Sequence, residues 1–475
     1  MSTYTLDAFW SDLNATLTGN NQRLTFTQLF TLNFLKHDPV RIGSFQVHLQ
    51  QFDNKALSKL VDNNPTMKRI EWHALENFVL KYLICIRDFD PWSVIKSIDL
   101  FISVFECEAL LLNTKNNNIY DKIGRIVLPC FAETMSLMVP LCEVIDIESM
   151  HIHNRYRDYP RLTHMSTILL KALNNIRSTP DINSQQNADK IDLLFKISTC
   201  LCTVYYKIGS PVLCSNVFSN INILNLNKRY IKKSELVKFR FIMGKYYTHQ
   251  SNFIMAYHHL HETFKTLPLA STPLSTMIKI LKYLIPVGML VGKVTNISLI
   301  RSYISTIRNA NPEQIETLQT ILNINETLIY AYKHGHVYGF YSHVYNTASY
   351  WKKIGMWIPL IQRFKVLLLR NLLQNTWRQS NGSLSFDMIR LALFTSLQGM
   401  ETLPLVYQFT NNAEDVGSDA FVENVLASVC LNGFLKLKMT GSTTFVASKK
   451  DTFPDMHEII LGRNPRNPKE VWLDG

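Results

Sequence analysis

Strand signals are scarce in this 475-residue chain before residue 434, and several other features are missing. The longest uninterrupted apolar run, near residues 283 to 292, is about half of the roughly 20 residues that a membrane span requires, so no bilayer-crossing helix is expected. Asp7 and Asp12 stand near the start, with no basic segment before an apolar core; no signal peptide and an intracellular location are expected. The eight cysteines (Cys85, Cys107, Cys130, Cys142, Cys200, Cys202, Cys214 and Cys430) include no C-x-x-C pair and sit among apolar neighbours. Reduced core thiols are the economical reading, in place of disulfides or zinc. A G-x-S-x-G elbow, an H-E-x-x-H pair and a dinucleotide fingerprint are also absent.

Four partial motifs do not make up for these absences. Gly288 to Thr295 has the look of a phosphate-binding loop, but its spacing is one residue short, no Ser or Thr follows Lys293, and it ends an apolar helix with no strand before it. His151 and His153 match the H-x-H pair of zinc isopeptidases, yet Arg161 and His164 occupy the places of the Ser and Asp that should follow, so zinc would lack a third donor. His258, His259 and His261 fall on one expected helix, where only 258 and 261 share a face; a solvated histidine cluster is expected. The carboxylates of residues 87 to 90 and 146 to 148 have too little around them for acid/base work, and Arg87 beside Asp88 is expected to be a helix-end ion pair. Catalysis is therefore the poorer reading, and no cofactor or metal is expected.

What is present is helical periodicity. With 47% hydrophobic residues the chain can bury a large core, but its length calls for a solenoid-like body with a terminal domain. Apolar residues recur at helical spacing in most windows, as in Leu57, Leu60 and Val61 or Val79, Leu80, Leu83 and Ile84. The polar stretches 178 to 189 and 410 to 418 read as loops. Residues 240 to 268 place Gly244, Tyr247, Ala256 and Pro268 at the offsets of a tetratricopeptide-like helical hairpin, with Leu260 and Phe264 filling the groove; an ordinary helical hairpin fits as well.

The order of elements changes near the C-terminus. Leu360, Ile361, Phe364, Leu367, Leu368 and Leu372 mark one helix; Ser385 with Asp387 opens a second containing Ile389, Leu393 and Phe394. Phe421, Val422, Val425, Leu426 and Val429 mark a third, which Asn432-Gly433 ends. The period then switches to two, with Leu435, Leu437 and Met439 alternating with Lys436 and Lys438 before a turn at Gly441-Ser442 and a return strand carrying Phe445 and Ala447 inward. Three helices and a hairpin in this order make a winged helix, a unit that binds nucleic acid or packs on another copy of itself.

A net charge of +12, with pI about 9.2, favours polyanions: nucleic acid or strongly acidic protein. Residues 228 to 245 hold seven basic residues (Lys228, Arg229, Lys232, Lys233, Lys238, Arg240, Lys245) against Glu235 alone, and residues 351 to 390 hold seven (Lys352, Lys353, Arg363, Lys365, Arg370, Arg378, Arg390) against Asp387 alone. The second window leads into the winged helix, where Lys436, Lys438, Lys449 and Lys450 would extend a track for a phosphate backbone. Asp419 and Glu423 make the third helix unsuited to a DNA groove, so any contact is expected to be salt-sensitive and indifferent to sequence.

Six stretches carry a family resemblance: Phe239-Arg-Phe-Ile-Met-Gly-Lys-Tyr-Tyr247 with the Ala256 helix after it, residues 280 to 293, Phe52-Asp-Asn-Lys-Ala-Leu57, Arg87-Asp-Phe-Asp-Pro-Trp92, Pro211-Val-Leu-Cys-Ser-Asn-Val-Phe218, and Val422-Glu-Asn-Val425. On these the chain resembles the PCI-domain family, a fold shared by subunits of the proteasome lid, the signalosome and a translation initiation factor. Within it the chain resembles the subgroup formed by the PCI subunit of transcription-export complex two and the related signalosome-associated protein, the Asp-Pro-Trp and Leu-Cys-Ser-Asn elements pointing to the fungal export subunit. The resemblance implies a mainly α fold: a right-handed solenoid of TPR-like hairpins capped by a winged helix. The expected divisions are N-terminal repeats (1–227), PCI repeats (228–357), the winged helix (358–453) and an irregular tail (454–475). It implies a non-enzymatic scaffold in mRNA export, in the nucleus at the envelope and pore. The implied partners are a large PCI-containing scaffold subunit, a small acidic disordered subunit shared with the proteasome lid, and RNA and DNA without sequence specificity. Lys352, Lys353, Arg363, Arg370, Lys436, Lys438, Lys449 and Lys450 are the expected nucleic-acid contacts, and Lys228, Arg229, Lys232 and Lys233 the expected contacts for the acidic subunit. A signalosome- or lid-type subunit acting purely in assembly is the competing reading.

Overall fold

The computed structural model describes residues 4–474 apart from 20–23, 35–37, 114–117, 154–156, 180–181, 269–272, 305–310, 410–415, 442–443, 449 and 466. The chain divides into two compact units, residues 1–239 with 469–475, and residues 240–468. Both are built from helices, and the two short strands of one hairpin are the only strands among the described residues.

In the first unit, helices His73–Asp88, Val94–Leu111, Asn118–His153, Pro160–Arg177 and Ala188–Lys207 pack each against the next, as stacked antiparallel hairpins do. An aromatic cluster of Phe9, Phe30, Phe45, Phe78 and Tyr82 holds the shorter N-terminal helices, and the Tyr82 hydroxyl donates to the Leu29 carbonyl at 2.8 Å. Residues 124–152, within Asn118–His153, are long and apolar enough to cross a membrane, which the uninterrupted-run criterion missed. Half of its most apolar 18-residue window is buried inside the protein. Its Asp146 is wholly buried and accepts from the backbone N–H of Leu162 at 2.9 Å, capping a helix that has no side-chain cap of its own, while Glu143 pairs with Lys207. A carboxylate bound in this way marks the core helix of a folded domain. Glu108 is also buried, hydrogen-bonded with Cys130 and Thr134, and burial pushes its carboxyl up to about 7. All eight cysteines are free, and six of them are buried.

The second unit begins within helix Lys233–His249, which forms a hairpin with Phe253–Thr266. Gly244 permits the hairpin's close approach, since a Cβ there would meet Leu260 Cγ at 2.7 Å; Asn252 caps the second helix by accepting from the Met255 N–H at 3.2 Å. Helices Leu274–Leu290, Pro312–His334, Val337–Asn346, Ala348–Ile354 and Trp357–Gln379 continue the stack. Gly335, at φ +68, ends one of them where Leu372 backbone atoms would lie 2.3 Å from an added Cβ. The would-be phosphate loop is a helix end, the Lys293 N–H donating to the Gly288 carbonyl at 2.8 Å.

Three helices and a hairpin follow in the order that the periodicity predicts: Trp357–Gln379, Phe386–Leu397, Asp419–Leu431, then β1 (Leu437–Met439) and β2 (Phe445–Ala447). Ser385 and Ser418 cap the second and third helices, accepting from Met388 and Phe421 N–H at 3.2 Å each. Val422, Val425, Leu426 and Val429 are buried in the same core as Leu360, Phe364 and Leu393. The strands are antiparallel, with Lys438 opposite Val446.

Residues 454–475 depart from the irregular tail expected there. Asp455 caps a helix, Met456–Arg463, by accepting from the Glu458 N–H at 3.0 Å. Met456 is buried beside Tyr332, whose hydroxyl lies 3.8 Å from its sulfur, and His457 Nδ1 lies 3.0 Å from the Val291 carbonyl. Beyond it, Leu473 is buried in the first unit, and Trp472 Nε1 donates to Asn222 at 3.0 Å. An acidic cap and one anchoring methionine suffice for a turn or two of helix once a core is present to receive them; Pro465 and Pro468 bring it to an end.

Candidate nucleic-acid interface

On the hairpin, strand alternation sends Lys436 and Lys438 outward while Leu437, Phe445 and Ala447 are half-buried. Val446, opposite Lys438, is exposed on the same face. Lys436 forms an ion pair with Asp451 at 2.7 Å; Lys450 is exposed, and Lys449 lies outside the described residues. Arg390 ties the second helix to the third by pairing with Asp387 at 3.1 Å and with Asp419, so half of the third helix's acidity is neutralised within the chain.

A different set of cations gathers where Ala348–Ile354 ends. Lys352 and Lys353 are exposed in its last turn, with the Lys352 ammonium 4.7 Å over the Trp357 ring. Arg363 is exposed on the next helix. Sequence reasoning missed Lys279 and Lys282 on helix Leu274–Leu290, where Lys282 feels the charge of both Lys279 and Lys353. Lys282 is half-buried; burial first, then the like charges of Lys279 and Lys353, hold its ammonium below the ordinary lysine value. On the adjoining helix, burial and the nearby Lys245 lower His249 in the same way, and His249 lies against Gly355, which ends the Lys352–Lys353 turn. The available signal was an absence. Residues 236–261, 263–312 and 327–386 contain no Asp or Glu, so these lysines have few acids close by in the chain.

Arg370 has to be withdrawn from the expected contacts. It is buried; its guanidinium donates to Asn371 at 3.1 Å, Gln374 at 2.5 Å and the Pro454 carbonyl at 3.2 Å, and lies 5.7 Å over the Phe453 ring. It fastens the chain leaving the hairpin to the first of the three helices, because the residues around it from Leu367 to Leu373 are all buried as well. Lys365 is half-committed too, donating to the Gln408 carbonyl at 2.8 Å.

The residues expected to meet an acidic subunit belong to the first unit. Arg229 and Lys233 are exposed and Lys228 is half-buried, but the Lys232 ammonium sits 2.5 Å from the buried Asp192, which holds its pKa above the ordinary value. Lys238 pairs with Glu235 at 2.9 Å, and Arg240 is buried.

The other motifs are structural. Arg87 pairs with Asp88 at 2.7 Å, as expected. Arg161 pairs with Asp146 at 3.4 Å and His164 with Glu106 at 2.8 Å, so the H-x-H stretch gains no ligand partners there. The solvated histidine cluster is also corrected: His259 is fully buried and stacked on Tyr247 at 5.6 Å, because its position faces the partner helix of the hairpin. Among the described residues no group of three His, Cys, Asp or Glu side chains could hold a metal ion.

No protein-family model matches the chain. It is 24% identical over 460 residues to the nuclear mRNA export protein THP1 of Saccharomyces cerevisiae, an alignment covering 93% of this chain and 96% of that protein. This chain resembles a nuclear mRNA export protein along nearly its whole length. It is also 23% identical over 317 residues to a PCI domain-containing protein of Schizosaccharomyces pombe, covering 64% of each chain. These likenesses run through both units, so they concern the whole arrangement and not one motif.

Proposed function

We propose that this chain is a non-enzymatic PCI-type scaffold subunit in nuclear mRNA export, holding RNA or DNA without regard to sequence. Supporting the first part is the likeness to THP1 over 93% of the chain and 96% of that protein, together with the weaker likeness to a PCI domain-containing protein. Supporting the second is the uneven charge. The unit of residues 240–468 carries 22 Lys and Arg against 13 Asp and Glu, a net +9 of the chain's +12. On this reading the three helices and hairpin of residues 357–447 are a winged helix that caps a right-handed solenoid of TPR-like hairpins. Its exposed Lys436, Lys438 and Lys450, together with Lys352, Lys353 and Arg363, meet the phosphates. A large PCI-containing scaffold subunit pairs with it side by side. A small acidic disordered subunit, shared with the proteasome lid, lies along the helices near Lys228, Arg229 and Lys233. The complex works in the nucleus, at the envelope and pore.

The test is the affinity for labelled single-stranded RNA of the chain purified with its PCI partner, at two salt concentrations. Binding that weakens steeply with salt is expected, with log K falling by about 0.7 per phosphate contact for each unit of log salt. Absent or salt-independent binding would overturn the nucleic-acid part and leave a lid- or signalosome-type assembly subunit.

A further inference from the structure

We infer that Lys279 and Lys282 extend the proposed interface from Lys352 and Lys353 into a phosphate track that holds the backbone of a single-stranded nucleic acid; this rests on the nucleic-acid reading above. The four lysines are supplied by two helices, Leu274–Leu290 and Ala348–Ile354, with Lys282 and Lys352 70 positions apart, and helix Lys233–His249 touches both. Packing brings them together: Phe241 and Tyr283 rings are 6.3 Å apart, and His249 lies against Gly355.

The electrostatics of the cluster point to a ligand. A half-buried ammonium is ordinarily paired with a carboxylate. Lys282 instead has Lys279 and Lys353 for neighbours; its ammonium lies 5.6 Å over the Tyr283 ring and makes no ion pair among the described residues. Such an arrangement costs folding energy, and it is tolerated where an external anion completes it. Elsewhere in the same unit the fold does supply acids, as in Arg301–Glu326, Arg390–Asp387 and Lys436–Asp451.

The type of cation and the exposure of each lysine select the ligand. Lysines act as point charges on flexible stems and track phosphates without the forked geometry that a carboxylate accepts from arginine. Lys282 is half-buried while Lys279 and Lys353 are exposed, so phosphates must be met at different depths. A flexible single strand can do this, whereas the phosphates of a duplex lie on a stiff convex surface.

The probe is a fluorescein-labelled 20-nucleotide oligouridine, titrated against the full-length chain with its PCI partner at several salt concentrations. For Lys279→Glu/Lys282→Glu we expect at least tenfold weaker binding, and for the neutral Lys279→Met/Lys282→Met a smaller loss with a salt slope lower by about 1.4. In the unaltered protein, RNA should shield Lys279 and Lys282 from acetylation, a readout that needs no folded variant. Unchanged affinity and slope in the methionine pair, or unshielded lysines, would overturn this site. If Lys436→Glu/Lys438→Glu still weakens binding, the proposed function stands without it; if neither pair matters, both fail.

Discussion

The two units use the same helical construction but treat their charges differently. Residues 1–239 with 469–475 carry 27 Lys and Arg against 24 Asp and Glu, a net +3, whereas residues 240–468 are at +9. In the first unit cations meet internal carboxylates again and again: Arg87–Asp88, Arg161–Asp146, Lys207–Glu143 and Lys232–Asp192. In the second unit, Lys279, Lys282, Lys352 and Lys353 make no ion pair among the described residues. Charge that is balanced inside a unit orders its own helices; charge left unbalanced is available to a partner. The contrast is a statement about pairing, which composition alone does not contain.

The harshest way to break the second unit is Val425→Asp, which puts a lone carboxylate into a site only 4% exposed. It should cost about 3–5 kcal/mol and abolish the cooperative melt of that unit. An unchanged thermal transition would contradict the helix packing described here. Next in size is the comparison itself. Reversing Lys352, Lys353, Lys436 and Lys438 to Glu should weaken RNA binding by about a hundredfold. Reversing the exposed Lys55, Lys59, Lys68 and Lys81 of the first unit changes the net charge equally and should shift affinity less than about threefold. Equal losses, measured by fluorescence anisotropy, would mean that overall charge and not placement governs binding.

A pH experiment sharpens the contrast from the side of the first unit. Burial raises Glu108 from 4.5 to about 7, so the folded state keeps a proton that the unfolded chain releases. The stabilisation is complete below about 4.5, declines as pH rises, and is gone above about 7. Glu108→Gln should therefore stabilise the fold more at pH 8 than at pH 4.5, by on the order of 2 kcal/mol, seen as a larger rise in melting temperature at pH 8. An equal effect at both pH values would contradict the buried, protonated state. The smallest effect is expected of Arg370→Leu. It removes the bond to the Pro454 carbonyl and should cost about 1–2 kcal/mol of stability while leaving RNA affinity unchanged. A loss of affinity in a stably folded variant would return Arg370 to the binding surface.

Much of the fold was legible along the chain. Ser385 and Ser418 announce helix starts through the hydroxyl each offers to an N–H three residues on, and Gly433, at φ +70, marks the end of the third helix. The change from helical to strand period near Leu435 located the hairpin. Gly244, as a residue of a tetratricopeptide-like register, anticipated the contact with Leu260. Arg370 was misread because a basic residue in a charged window looks like surface, and only its neighbours in space reveal an enclosed guanidinium. His259 was misplaced for the same reason. The 456–463 helix was hidden by the prolines after it, since its stability comes from burying Met456 and not from propensity.

Periodicity, caps, turn residues and net charge act between residues a few positions apart, so the linear order of this chain determined its helices, its single hairpin and its basic character. Which cations are neutralised, which are enclosed and which crowd together depends on distances between residues tens to hundreds of positions apart. Electrostatic and desolvation energies vary with separation and burial in space, so only the tertiary structure could set Lys282 beside Lys353 and turn Arg370 inward.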